Sequence, residues 1–133
     1  MSCADVRILV VEDSESFAKL YQTKLESKGY KVVVTHDGKE ELEIFETALN
    51  NSPRRRTPFD LIISDNSMPK INGVDAARTI HRIVPQQKIF FVTSEKDLVY
   101  KNFEVDGILV DVEQKPISTD LLMRKVDRML YSM

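Results

Sequence analysis

VRILVVED, Val6 to Asp13, gathers β-branched residues and Leu into one short run and ends on two acids. A continuous apolar run without polar alternation predicts a strand covered on both faces, the situation of strands in a parallel sheet. Ser14 follows as a candidate N-cap. The helix it opens carries Phe17, Leu20, Tyr21 and Leu25 at i, i+3, i+4 and i+8, and Gly29 stands after it as a stop signal. The unit reads strand, helix, stop.

The same unit recurs along the chain. Tyr30–Thr35 is predicted as the second strand, and Asp37-Gly38 leads into an amphipathic helix bearing Leu42, Phe45, Ala48 and Leu49, ended by the stretch Asn51–Pro58. Asp60–Ser64 is the third strand. After the Met68-Pro69 turn, Asn72 caps a helix through Val74, Ala77, Ile80 and Val84 that Pro85 closes. Lys88–Thr93 is the fourth strand, a short helix covers Lys96–Phe103, and Gly107–Val112 is the fifth strand. Ser118 caps a final helix with Leu121, Leu122, Val126, Met129 and Leu130. Five strands alternating with five helices predict an α/β, doubly wound (βα)5 sandwich of flavodoxin-like type, because parallel strands need crossovers and right-handed crossovers put helices on both faces. The expected strand order is 2-1-3-4-5, which places a ligand crevice beyond the carboxyl ends of strands one and three.

Composition narrows the function. A chain of 133 residues, 42% hydrophobic and 30% charged, fits one domain with its own core. With 19 Lys and Arg against 21 Asp and Glu the net charge is −2, so the overall balance does not call for nucleic acid or an anionic membrane. Cys3 has no second cysteine for a disulfide or a thiolate metal site. No run approaches the roughly 20 apolar residues a membrane helix needs, so no membrane insertion and a cytoplasmic setting are expected.

The predicted fold brings chemistry to one edge. Glu12 and Asp13 end the first strand and Asp65 ends the third (FDLIISD), so three carboxylates crowd together, which is unfavourable without a cation or a proton. All-oxygen acidic sites suit Mg²⁺, which keeps positions free for water and a phosphoryl group. Each residue also has a plainer reading. Strand-end acids serve as helix N-caps or solvated charges, Thr93 ends strand four where a hydroxyl can cap the next helix, and Lys115 is of a type common on surfaces. Pro116 can simply punctuate the approach to the last helix. Their joint occurrence at successive strand ends is what sets the functional reading apart.

These residues carry a resemblance. Val11-Glu12-Asp13, Ser64-Asp65-Asn66-Ser67-Met68-Pro69 with Gly73, Thr93-Ser94 and Lys115-Pro116 occur in order across the length, and the whole chain resembles the receiver domains of two-component response regulators, the CheY-like family. The resemblance implies a single receiver domain over residues 1–133 with no output domain. It implies that Asp65 is the phosphoacceptor, taking a phosphoryl group from a sensor histidine kinase or a histidine phosphotransfer protein, and that Lys115 and Thr93 assist. It implies Mg²⁺ held by Glu12, Asp13, Asp65 and the backbone carbonyl of Ser67, with Lys115 keeping Asp65 ionised. It implies a signalling switch, not an enzyme apart from its own aspartyl phosphorylation and dephosphorylation, acting on a downstream protein target; from the charge balance, no direct nucleic-acid contact is expected. Ser67 and Glu95 lie where the resemblance implies control of water access.

Two departures stand out. Family members usually carry Tyr or Phe on the fifth strand, whereas counting back from Lys115 puts Val112 there, followed by Glu113 and Gln114; Tyr100 or Phe103 on the fourth helix is the candidate substitute. The connection Asn50–Pro58 is long and holds Arg54-Arg55-Arg56, read as a solvated loop or as a contact for an acidic partner, and too small a footprint for nucleic acid. Other functions fit less well. A non-switching interaction module or passive phosphoryl carrier agrees with the missing aromatic. A haloacid-dehalogenase-like phosphohydrolase would need a second Asp where Asp13-Ser14-Glu15 has Glu15, and a cap segment. Flavodoxin-like cofactor binding would place a phosphate against Glu12 and Asp13, which repel it.

Overall fold

A computed structural model describes residues 5–52, 56–103 and 109–131. Cys3, Arg54, Arg55 and Gly107, singled out above, lie outside the described residues. The chain alternates β1 (Arg7–Val11), α1 (Glu15–Ser27), β2 (Lys31–Thr35), α2 (Gly38–Asn51), β3 (Leu61–Ser64), α3 (Gly73–Ile83), β4 (Ile89–Thr93), α4 (Lys96–Asn102), β5 (Val110–Gln114) and α5 (Thr119–Tyr131). All pairings are parallel, in the order β2-β1-β3-β4-β5, as the alternation predicts.

Strand periodicity divides the core into two layers. Leu9, Val11, Ile62, Ile89, Phe91 and Val112 face one side, where α2, α3 and α4 supply Phe45, Ala77, Ile80 and Val99. Ile8, Val10, Leu61, Ile63, Phe90 and Val92 face the other, against Tyr21 and Leu25 of α1 and Leu122, Val126 and Met129 of α5. Each fully buried side chain of this kind stabilises the fold by about 1.5–3 kcal/mol over leaving it exposed. The caps predicted from sequence form, the Ser14, Asn72 and Ser118 side chains accepting from the amides of Phe17, Asp75 and Leu121, and Asp37 likewise caps α2 by accepting from the Glu40 amide. Gly29, at φ 90°, ends the turn after α1 in the left-handed region that its missing Cβ permits.

Two expectations need correction. Phe17 and Leu20 were expected on the buried stripe of α1, yet they are 38% and 39% exposed, and Ala18, Tyr21 and Leu25 seal the helix to the sheet instead. The pattern held two overlapping stripes that share Tyr21 and Leu25, and the phase of the helix chooses between them. The fifth strand, expected over Gly107–Val112, runs Val110–Gln114 and pairs from Ile89↔Val110 to Thr93↔Gln114. As the edge strand it pairs through its backbone on one side only, so Glu113 and Gln114 can extend the ladder while their side chains reach solvent.

The sheet sets the site. Val11 pairs with Ser64, and the Asp65 amide continues the ladder onto the Val11 carbonyl at 3.0 Å. Glu12 and Asp65 therefore leave neighbouring strands side by side, at the reversal of winding between β1 and β3.

Candidate functional site

Glu12, Asp13 and Asp65 each offer a carboxylate oxygen within 4.8 Å of the others. Glu12 and Asp65 are buried and Asp13 is exposed, so the cluster has a closed floor and an open mouth. Its donors are all hard oxygens, and that donor set fits Mg²⁺.

Lys115 reaches into this cluster from the end of β5. Its Nζ donates to Glu12 Oε1 at 2.6 Å and to Asp65 Oδ2 at 2.9 Å, with the Lys115 side chain only 14% exposed. Burial pushes the Glu12 carboxyl above its ordinary range; the bonds from Lys115 and the Ser14 amide oppose the rise, and the neighbouring charge of Asp65 adds to it. Burial pulls Lys115 down, but its bonds to Glu12 and Asp65 outweigh that pull and hold the ammonium above the usual lysine range. The ammonium is thus the fixed cation that offsets two crowded acids. The Lys115 amide donates to the Thr93 carbonyl at 2.9 Å, tying the two strand ends together, and the Lys115-Pro116 peptide is cis.

Thr93 is fully buried at the end of β4, and its Oγ1 accepts from the Glu95 amide at 3.1 Å. Among the described residues the hydroxyl caps its own turn and makes no hydrogen bond to Asp65, so the structure brings Thr93 to the site's wall and joins only Glu12, Asp13, Asp65 and Lys115 directly. Ser67 is exposed in the loop after β3.

Asn66, next to Asp65 in the motif, organises this loop. Its amide donates to Asp65 Oδ1 at 2.6 Å, its Oδ1 accepts from the Val74 amide at 2.9 Å, and its Nδ2 donates to Glu95 Oε1 at 3.0 Å. The Gly73 amide closes the turn onto the Asn66 carbonyl at 3.0 Å. A Cβ on Gly73 would lie 2.1 Å from the Asp65 carbonyl oxygen, which explains the glycine physically: the backbone that carries Asp65 passes where a side chain would stand. Phe17, turned out of the buried stripe of α1, also reaches the site. Its ring centroid lies 4.7 Å from Lys115 Nζ. Nothing in a lone Phe within an amphipathic pattern signals such a contact.

The candidate aromatic substitutes are elsewhere. Phe103 packs on Phe91 at 5.7 Å and edge-on to His81 at 6.5 Å, a core contact of α4, while Tyr100 is 44% exposed. Val112 is buried beside its partner Phe91. Gln114 instead spans the turn after Thr93: its Oε1 accepts from the Lys96 amide at 3.3 Å and its Nε2 donates to the Ser94 carbonyl at 3.1 Å.

Comparison with known proteins adds a second line of observation. A family model described as the response regulator receiver domain matches residues 8–127. Response regulator ArlR of Staphylococcus saprophyticus is 32% identical over 124 residues, which are 93% of this chain and 52% of that protein. The alkaline phosphatase synthesis transcriptional regulatory protein PhoP of Bacillus subtilis is 38% identical over 103 residues, 77% of this chain and 37% of that protein. The chain thus spans about half the length, or less, of these relatives. Among solved structures, the non-phosphorylated HemR receiver domain from Leptospira biflexa superposes with a TM-score of 0.78 at 23% identity over 97% of each chain, a likeness of fold. No helix of the described residues is long and apolar enough to cross a membrane.

Proposed function

As the chain belongs to the response regulator receiver domain family of two-component systems, we propose that it accepts a phosphoryl group on Asp65 in a Mg²⁺-dependent transfer from a histidine kinase or a histidine phosphotransfer protein. The observation that carries this reading is the Asp65 carboxylate at the end of β3, held on Oδ1 by the Asn66 amide, on Oδ2 by Lys115, and flanked by Glu12 and Asp13. A carboxylate so fixed is a placed nucleophile.

In the transfer an Asp65 oxygen attacks phosphorus in line with the donor's P–N bond. The O–P bond forms as the P–N bond breaks, and the bonding pair stays on the imidazole nitrogen. The product is an acyl phosphate on Asp65. Little else is asked of the protein than placement and charge neutralisation. Lys115, already 2.9 Å from Oδ2, offers its ammonium to one phosphoryl oxygen, and the Thr93 hydroxyl can turn to another by releasing the Glu95 amide. Glu12, Asp13, Asp65 and the Ser67 carbonyl would hold Mg²⁺, which supplies Lewis-acid neutralisation of a phosphoryl oxygen when bound. The phosphorylated chain then regulates a downstream protein or hands the group onward. A passive carrier is the second reading, favoured by one observation: Val112 occupies the place of a switch aromatic and is sealed in the core at 1% exposure.

Transfer from a labelled phosphohistidine domain tests the proposal. Label should pass to the parent chain and stay on the donor when Asp65→Asn is offered; equal labelling of both would remove Asp65 from the role.

A further inference from the structure

We infer that Phe17 is a positioning residue for Lys115, its ring holding the ammonium over the acidic cluster, an inference that rests on the phosphoacceptor reading of Asp65. The centroid of the Phe17 ring is 4.7 Å from Lys115 Nζ, inside the range over which the negative face of an aromatic ring attracts a cation. Two of the three N–H donors on that ammonium go to Glu12 and Asp65, at 2.6 and 2.9 Å. Both of those partners have another task in the proposed chemistry, Asp65 as the nucleophile and Glu12 as a cation ligand. The ring has none, so it is the contact of Lys115 that the chemistry leaves unchanged.

The placement of Phe17 is built into the site. The Ser14 amide donates to Glu12 Oε2 at 3.0 Å, and the Ser14 hydroxyl in turn accepts from the Phe17 amide. One carboxylate therefore grips Lys115 with one oxygen and, through the cap of α1, fixes the backbone of Phe17 with the other. Behind it, Tyr21 stacks on the ring at 6.2 Å and 26°, itself buried in the core. The helix does not need Phe17 for packing, because Ala18, Tyr21 and Leu25 already seal it to the sheet. A phenyl ring left 38% exposed is unfavourable on burial grounds, and its contact with a nearly buried cation gives that exposure a purpose.

The test separates ring electrostatics from shape, from partner docking and from the reading of Asp65. Fluorinated phenylalanines at position 17, from one to five fluorines, keep an apolar ring of similar size while draining the negative potential of its face. Phosphorylation by acetyl phosphate is followed by intact mass, and the Lys115 ε-methylene protons are followed by NMR without any donor. The rate should fall stepwise along the fluorine series and about tenfold in Phe17→Leu, with Phe17→Tyr restoring most of that loss. The ε-methylene signals should lie upfield in the parent and return toward free lysine in Phe17→Leu. A flat fluorine series overturns the inference, and so does slowing of Phe17→Leu with a phosphohistidine protein but not with acetyl phosphate, which makes Phe17 a docking residue. Unchanged ε-methylene signals overturn it as well. A parent that takes no phosphoryl group refutes the reading of Asp65, while the NMR arm still decides the ring contact.

Discussion

Glu41 shares the inward stripe of α2 with Phe45 and Ala48, is 1% exposed, and has no hydrogen-bond partner at Oε1 among the described residues. Burial alone pushes its carboxyl up to about 8, against an ordinary value of 4.5. Between those values the folded chain keeps a proton that the unfolded chain releases. The native state then binds more protons, so stability is full below the ordinary carboxylate range and falls as pH rises towards 8, by up to about 1.4 kcal/mol per pH unit. Denaturant unfolding at steps from about pH 5 to about pH 8 should show this decline in the parent and lose it in Glu41→Gln. Parallel profiles would show that the carboxyl is solvated. Glu41 escaped the sequence reading because an acid in the first turn of a helix is what the helix dipole favours at the surface. Glu12, Asp13 and Asp65 were legible because they follow apolar runs whose ends the topology sends to one edge, and Lys115 because the Lys115-Pro116 pair stands after the fifth strand. Phe17 was not, since a hydrophobic pattern says that a ring is apolar and not which stripe the helix will bury.

Among the elements, the turn from β3 into α3 is tightly constrained. Gly73 and the Asp65 carbonyl approach so closely that a methyl group would stand 2.1 Å from the oxygen and 3.0 Å from the Asn66 Cα. Gly73→Ala must push one backbone segment aside, at a cost of about 1–3 kcal/mol from overpacking. Because the displaced segment carries Asp65, the proposed phosphoacceptor, phosphorylation should slow as well. Urea midpoints and phosphorylation rates measured together check this, and a variant equal to the parent in both would contradict the packing described. Boundaries of elements were less legible than their existence. The Ser14 and Asn72 caps placed helix starts well because side-chain caps are local chemistry. The fifth strand was misplaced because its ladder is extended by backbone pairing with β4 through Glu113 and Gln114, residues whose polarity reads as a loop.

The molecule as a whole places chemistry by winding. Strand order β2-β1-β3-β4-β5 sends the chain in opposite directions from β1, and the crevice left there receives the ends of β1 and β3, with Lys115 entering from β5. This was legible because alternation of strand and helix admits few topologies. What sequence could not supply was how the site connects to the surface. Val112 is a plain core residue, and the turn after Thr93 is held from two sides: by Gln114 through Ser94 and Lys96, and by Asn66 through Glu95. Asp65 is one residue from the second of these ties, so hydrogen bonds alone, with no aromatic ring, connect its carboxylate through Asn66 to Glu95 at the start of α4. All of this depends on Asp65 taking a phosphoryl group. Intact mass after incubation with acetyl phosphate and Mg²⁺ measures that directly. The parent should gain one base-labile phosphoryl group, with none in Asp65→Asn and none in the parent with excess chelator. Equal modification of Asp65→Asn, or modification that chelator leaves undiminished, would contradict it.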